Sequence, residues 1–360
     1  TDMNNLVIVP TEKRTLNLGE YAEEATIIVE ETAKPKRVNH FIEANTQEVT
    51  LQHLKQDCII PVFANDNDLT ISLTDFIETV WDASNACFRG EIIDKPEIRV
   101  SHIVKGRRPE FLNVPAKDLL PSQRTMYYER MAFSYEVPSI YETVGGNRIN
   151  LCITGVRAYN RENLFSKKTA SKFSVAIGFR NTVCCNLCTF TDGYKSTIEA
   201  MSTSELYAKV LELFHTFNPA LHIHLLKTLE NSYLSEKQFV TLLGKARLYQ
   251  CLPQGYQKSI PRLLLTDTQI NSVAKAYIND ENYGGFGNEL SMWKCYGLLT
   301  GANKSSYIDS LLDRSLNATE LAIGINDALQ GRIDRYKWFI HKLLKGHLFN
   351  RCPFFFNNLK

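Results

Sequence analysis

No stretch of this chain approaches the roughly 18 uninterrupted apolar residues that a membrane helix needs. Its start, TDMNNLVIVPTEKR, has no basic run followed by an apolar one. Both absences point to a soluble, cytoplasmic protein with no membrane partner. An excess of one charge is also missing, since 41 Lys and Arg stand against 39 Asp and Glu. Nine cysteines are an odd count in 360 residues, and a chain of this length with 44% apolar residues builds a core unaided. A disulfide framework is therefore not expected, in keeping with a reducing compartment. The 22% of charged residues is ordinary for a globular protein and excludes wholesale disorder, collagen-like repeats and coiled coils.

Catalytic signatures are missing too. There is no Gly-x-Ser-x-Gly elbow and no His-Glu-x-x-His. Gly301-Ala-Asn-Lys304-Ser305 lacks the glycine before lysine that a phosphate loop needs. Cys185-Asn-Leu-Cys188, with Cys184 adjacent and Cys152 upstream, is one CxxC without the second pair of a zinc tetrahedron, and reads as a buried strand. His222-Ile-His224 would point two imidazoles the same way on a strand, as in metal-dependent strand nucleases that attack through a tyrosine such as Tyr249 or Tyr256. After Asn218-Pro219 the same residues can equally open a helix, where positions two apart diverge by about 200°. No catalytic residue, metal ligand or cofactor is assigned.

What is present is a change of period along the chain. Residues 1–40 read as a mobile acidic arm, with Glu20, Glu23, Glu24, Glu30 and Glu31 and no hydrophobic period. Residues 41–200 read as a mainly β domain with one or two helices. One helix spans 74–88, capped at Thr74 or Asp75, between strand-like IIPVF and EIRVSHIV. From Tyr127 the period becomes two: YYERMAFSYEVPSIYE, the turn Val144-Gly145-Gly146-Asn147, RINLCITGVRAY, then FSVAIGFRNTVCCNLCTF as a further strand or strand pair. These runs form an antiparallel meander. Residues 201–345 carry a helical period, with a capping box at Ser235-x-x-Gln238. Residues 346–360 end the chain as a basic aromatic tail. The stretch around Trp338 and Phe339 either docks on its own domain or enters a partner's groove. Strands followed by helices give an α+β fold, the meander packed against the helical block.

The near-neutral total hides an asymmetry. Residues 1–104 hold 9 Lys and Arg against 18 Asp and Glu, whereas residues 105–180 hold 13 against 6. The candidate nucleic-acid-binding residues come from that basic segment: Lys105, Arg107, Arg108, Arg148, Arg157, Lys167, Lys168, Lys172 and Arg180. Tyr127, Tyr128, Tyr135, Tyr159 and Phe165 are interleaved with them. Cations for phosphates and rings for unstacked bases hold single strands without reading sequence.

The stretches HFIEANTQEVTLQHLKQDCIIPVF, IRVSHIVKGR, YYERMAF, NLCITGVRAYNRENLFSKKTASKF, YQCLPQGYQKSIPRLLLTDTQIN and LLTGANKSSYIDSLLDRSLNA resemble an uncharacterised domain-of-unknown-function family found on mobile elements of gut bacteria. More distantly, FRNTVCCN (179–186) followed by Trp293-x-x-Tyr296-x-x-x-Thr300 is similar to the phage/plasmid-like protein family. The resemblance implies a mobile-element setting, in which accessory proteins of annealing or recombination manage single-stranded DNA, and brings no catalytic residues. The expectation is a non-catalytic binder of single-stranded nucleic acid, a homo-oligomer whose basic segment lines a groove. Two alternatives stand beside it. One is an interaction or inhibitor protein that meets a protein partner through the N-terminal arm or the C-terminal tail. The other is the His-x-His strand nuclease.

Overall fold

The computed structural model describes residues 39–58, 71–111, 113–162 and 169–341. The acidic arm up to residue 38, the IIPVF run, Lys167, Lys168, Phe165 and the C-terminal tail lie outside the described residues.

An α+β architecture is built on a long antiparallel meander. In chain order the strands are β1 (Gln47–Glu48), β2 (Glu97–Val100), β3 (Ile103–Arg107), β4 (Arg124–Tyr128), β5 (Arg130–Val144), β6 (Asn147–Ala158), β7 (Ser171–Asn181) and β8 (Leu187–Ala200). Six of them form one sheet in the order β1-β2-β5-β6-β7-β8, with every neighbouring pair antiparallel. Strands β3 and β4 pair with each other as a separate two-stranded ribbon. Two expected strands are therefore each split. EIRVSHIV divides into β2 and β3, and the run from Tyr127 divides at Glu129 into the end of β4 and the start of β5. At the split the Ser101 N–H still donates to the Arg130 carbonyl at 3.0 Å, but the Arg130 N–H donates to the Ser101 hydroxyl at 3.1 Å, so a side chain takes one of the two ladder bonds where the ribbon departs from the sheet.

The turn between β5 and β6 is Gly145-Gly146, with φ of +56° and +76°, as a tight two-residue hairpin requires. A side chain at Gly145 would also strike the Trp293 ring 2.1 Å away.

One face of the sheet is built of large apolar side chains. Phe133, Tyr135, Leu151, Ile153, Phe173 and Ile177 are all buried there. Helix α1 (Leu51–Asp57) precedes the two helices that cover this face, α2 (Leu73–Cys87) and α3 (Thr203–Thr216). The cap of α2 is Ser72 rather than Thr74 or Asp75: Ser72 and Asp75 have the capping-box spacing, and each side chain bonds the other's backbone N–H at 2.9 Å. That start brings Phe76 over the sheet, 5.2 Å from the Phe133 ring and 4.6 Å from Phe173. Gly155 makes the approach possible, since a Cβ there would lie 2.3 Å from Phe133.

The opposite face is small and polar. Ala132, Ser134, Cys152, Thr154, Ala176 and Arg180 lie on it, under Phe41, Ile42, Ile308, Leu311 and Leu312. The remaining elements are α4 (Pro219–Thr228), β9 (Tyr233–Leu234), α5 (Glu236–Cys251), α6 (Gln254–Gln257), α7 (Asp267–Asn279), β10 (Leu290–Ser291), α8 (Met292–Asn303), α9 (Leu311–Leu329) and α10 (Lys337–Ile340). The capping box at Ser235 and Gln238 opens α5. SYIDSLLDRSL and ELAIGINDAL, each helical by period, join into the single α9, because Asn317 between them is buried and bonds Leu264 N–H and Arg262 C=O rather than breaking the helix. Helix α10 docks on α5 through Lys245, which donates to the Trp338 and His341 carbonyls. Among the described residues no helix is long and apolar enough to cross a membrane.

Candidate nucleic-acid interface

The β3–β4 ribbon gathers cations on one side. Directly opposed residues of an antiparallel pair share a face, and the register sets Lys105 against Met126 and Arg107 against Arg124. Lys105, Arg107 and Arg124 therefore share one face, with the exposed Arg108 following at the ribbon's end. Arg124 is the residue that the sequence pattern missed. Nothing in its linear position reveals a partner 17 residues away.

Like charges placed opposite each other in a ladder repel. Here the two guanidiniums turn to the loop that joins the strands. Arg107 donates to the Val114 carbonyl and Arg124 to the Leu119 carbonyl at 3.0 Å. Lys105 and Arg108 meet no carboxylate among the described residues.

The other candidates are placed differently. Arg157 is 1% exposed. Its guanidinium pairs with Glu162 at 3.0 Å and donates to the Ile71 carbonyl, with its plane over the Tyr159 and Phe173 rings. Arg180, also buried, reaches Glu97 at 3.0 Å and Glu136 at 3.3 Å. Burial pushes the Glu136 carboxyl up, and Arg180 beside it opposes that shift. Both arginines are corrections to the expected set, because a cation buried against carboxylates cannot also face phosphates. Arg148 lies over the Tyr141 ring at 3.8 Å and bonds Asn150 and the Pro138 carbonyl. Lys172 reaches Glu199 at 3.5 Å. The expected set thus does not converge. Lys105, Arg107 and Arg108 are brought together with Arg124, while Arg148, Arg157, Lys172 and Arg180 are spread over the sheet; Lys167 and Lys168 lie outside the described residues.

The rings do not form a stacking platform. Tyr127, Tyr128, Tyr135 and Tyr159 are all buried, Tyr135 with its hydroxyl 2.7 Å from Ser84.

The His-x-His reading is overturned. Asn218 caps α4 and Pro219 occupies its first turn, so His222 and His224 point apart on a helix. His222 is fully buried, stacked 4.9 Å from Phe190 with Phe179 and Phe217 at its edges. Neither ring nitrogen has a partner, and burial pulls its pKa down to about 3. The cysteines do not converge either: Cys152 sits on the polar face and Cys188 on the apolar one. No group of three metal-ligating side chains forms among the described residues.

A family model described as "Domain of unknown function, B. Theta Gene description (DUF3871)" matches residues 21–340. The chain belongs to that family. No curated protein and no solved structure matches it. In this DUF3871 chain the FRNTVCCN segment is the end of β7 and the turn to β8, and that turn is held by α8. Asn186 donates to the Gly297 carbonyl at 3.0 Å and to Thr300 at 3.1 Å. Trp293 donates to Asn147 of the other hairpin at 3.0 Å. Tyr296 meets Thr319 of α9 at 2.9 Å, and Lys304 donates to the Cys184 carbonyl. Asn186, Trp293 and Lys304 join sheet to helix, and Tyr296 joins α8 to α9.

Proposed function

We propose that the chain is a non-catalytic binder of single-stranded nucleic acid that uses the β3–β4 ribbon, as an accessory protein of a mobile element. The observation that carries this reading is the cross-strand pair Arg107–Arg124 on the same face as Lys105. Each guanidinium holds one loop carbonyl, and the cationic face they form with Lys105 attracts a polyanion. Residues two apart on a strand stand about 6.8 Å apart, a spacing that a pliable single strand can match by adjusting its backbone. With no exposed ring among the expected tyrosines, recognition is of phosphates and not of bases. The mobile-element setting rests on the resemblance of the sequence segments given above.

The test is fluorescence polarisation with a labelled oligothymidylate. Four cations that each displace a counterion give a slope near −2.8 in log affinity against log salt, a fall of roughly fifty-fold for a fourfold rise in salt. Lys105→Glu with Arg108→Glu should weaken binding at least about tenfold and flatten that slope. Absent binding, salt-independent binding, or an unchanged double variant sinks the reading. A duplex of the same length that binds as tightly removes the single-strand preference.

A further inference from the structure

We infer that a cleft at the β8 bulge binds a phosphomonoester carried on a sugar. The strand pair β7–β8 loses register between Phe173 and Val175, which face Ile198 and Lys195. Ser174 therefore opposes both Ser196 and Thr197. One extra residue in a strand kinks it and re-aims its side chains. A cavity of about 410 Å³ opens at this kink, on the small polar face, where Val156, Ala158 and Ser174 leave room beneath the start of α9. That volume lies within the roughly 300–1,000 Å³ of small-molecule sites.

Its lining divides into two chemistries. Arg161 and Lys172 supply positive charge. Arg161 is anchored by a bond to the Asp309 carbonyl and keeps further N–H donors. The Lys172–Glu199 pair, 3.5 Å long and well exposed on the Glu199 side, is weak enough for a phosphate to displace the carboxylate. Arg130, the ladder partner of Ala158, lies nearby but is already paired with Glu129 at 3.6 Å and Asp309 at 3.9 Å, so the cleft's own charge is that of Arg161 and Lys172.

The other side offers hydroxyl-matching groups. Asp313 accepts from the Tyr194 hydroxyl at 2.6 Å through one oxygen, and its second oxygen has no partner among the described residues. Burial and the bond to Asp313 push the Tyr194 phenol up, so that it remains a donor and fixes the carboxylate. Ser196 and Thr197 are exposed at the rim. A free carboxylate oxygen and hydroxyls fit a polyol, while two cations fit the dianion of a monoester. A neutral sugar would leave the cations unused, and inorganic phosphate would leave Asp313 unused. This site is separate from the ribbon and does not depend on it.

Calorimetric titration and thermal-shift measurements on the full chain test it, with AMP, ribose 5-phosphate, ribose and inorganic phosphate as probes. At least one sugar phosphate should bind below about 1 mM, with ribose and phosphate each at least about tenfold weaker. Binding of AMP alone points to a nucleotide, and binding of both probes to the shared sugar phosphate. Arg161→Gln should lower affinity at least about tenfold by removing charge, and Thr197→Trp by filling the cleft, each with an unchanged melting temperature. The Lys105→Glu, Arg108→Glu variant should bind the sugar phosphate as the wild type does. The inference is overturned if neither sugar phosphate binds, if inorganic phosphate binds as tightly, or if both cleft variants bind unchanged.

Discussion

The two faces of the central sheet reach burial by opposite means. On one, rings from α2, β5 and β7, with Leu151 and Ile153 of β6, fill the space between helix and sheet. On the other, small side chains leave room for a network in which Arg180 joins β7 to Glu97 of β2 and Glu136 of β5. Asn150 donates to Glu136 at 2.7 Å and accepts from Arg148. The apolar face is held by area removed from water, which tolerates no gap. The polar face is held by pairing, which tolerates gaps and fails when one partner is removed. It is also the face that contains a cleft.

The sharpest way to break the contrast is to remove a ring. Phe133→Ala should cost about 3–5 kcal/mol in urea unfolding, as for large core truncations. A loss below about 1 kcal/mol would mean that the ring face is not the main source of stability.

His222 marks the apolar face by its acid response. Its folded pKa is lowered to about 3, so between about pH 6.5 and 3 the unfolded chain binds the proton and the folded chain does not. Its contribution is full above pH 6.5 and lost as pH falls, by roughly 3 kcal/mol at pH 4. His222→Phe, which keeps the ring among Phe179, Phe190 and Phe217, should flatten the acid limb of stability measured between pH 7 and 4. An unchanged limb refutes the cage as its source.

On the polar face, Arg180→Leu should cost about 2–3 kcal/mol, because it takes the shared cation from two half-buried carboxylates and leaves Glu97 only its bond to His40 and Glu136 only its bond to Asn150. Adding Glu136→Gln should restore part of that loss, since a neutral amide needs no cation. A double variant no better than the single one would show that packing and not charge is what Arg180 supplies. Ser134→Ala, by contrast, should change stability by less than about 1 kcal/mol, because Cys152 and Thr154 remain within 3.5 Å of each other.

The contrast also explains what could be read from the chain. The β5–β6 hairpin was visible in its period and in Gly145-Gly146, and the Ser235 box in four consecutive residues, because those signals are local. The basic residues were visible as a composition, but their roles were not. Whether Arg107 is paired with another arginine, or Arg180 with carboxylates 83 and 44 residues away, depends on register, which a period of two leaves open. The split at Ser101 and Glu129 was hidden for the same reason: both runs are strand-like throughout, and the change of partner at Ser101, where a hydroxyl takes the Arg130 N–H, has no signal in the period. His222 was ambiguous between strand and helix until the Asn218 cap was engaged.

Both hairpin tips of the meander rest on α8, through Trp293 at Asn147 and through Asn186 at Gly297 and Thr300. During synthesis the last strand of the meander ends about ninety residues before that helix begins. At the roughly 5–20 residues per second of translation, a nascent meander waits several seconds on the ribosome with its tips unclamped. Chains released before α8 should thus be far more vulnerable to proteases and to aggregation than their completed sheet suggests.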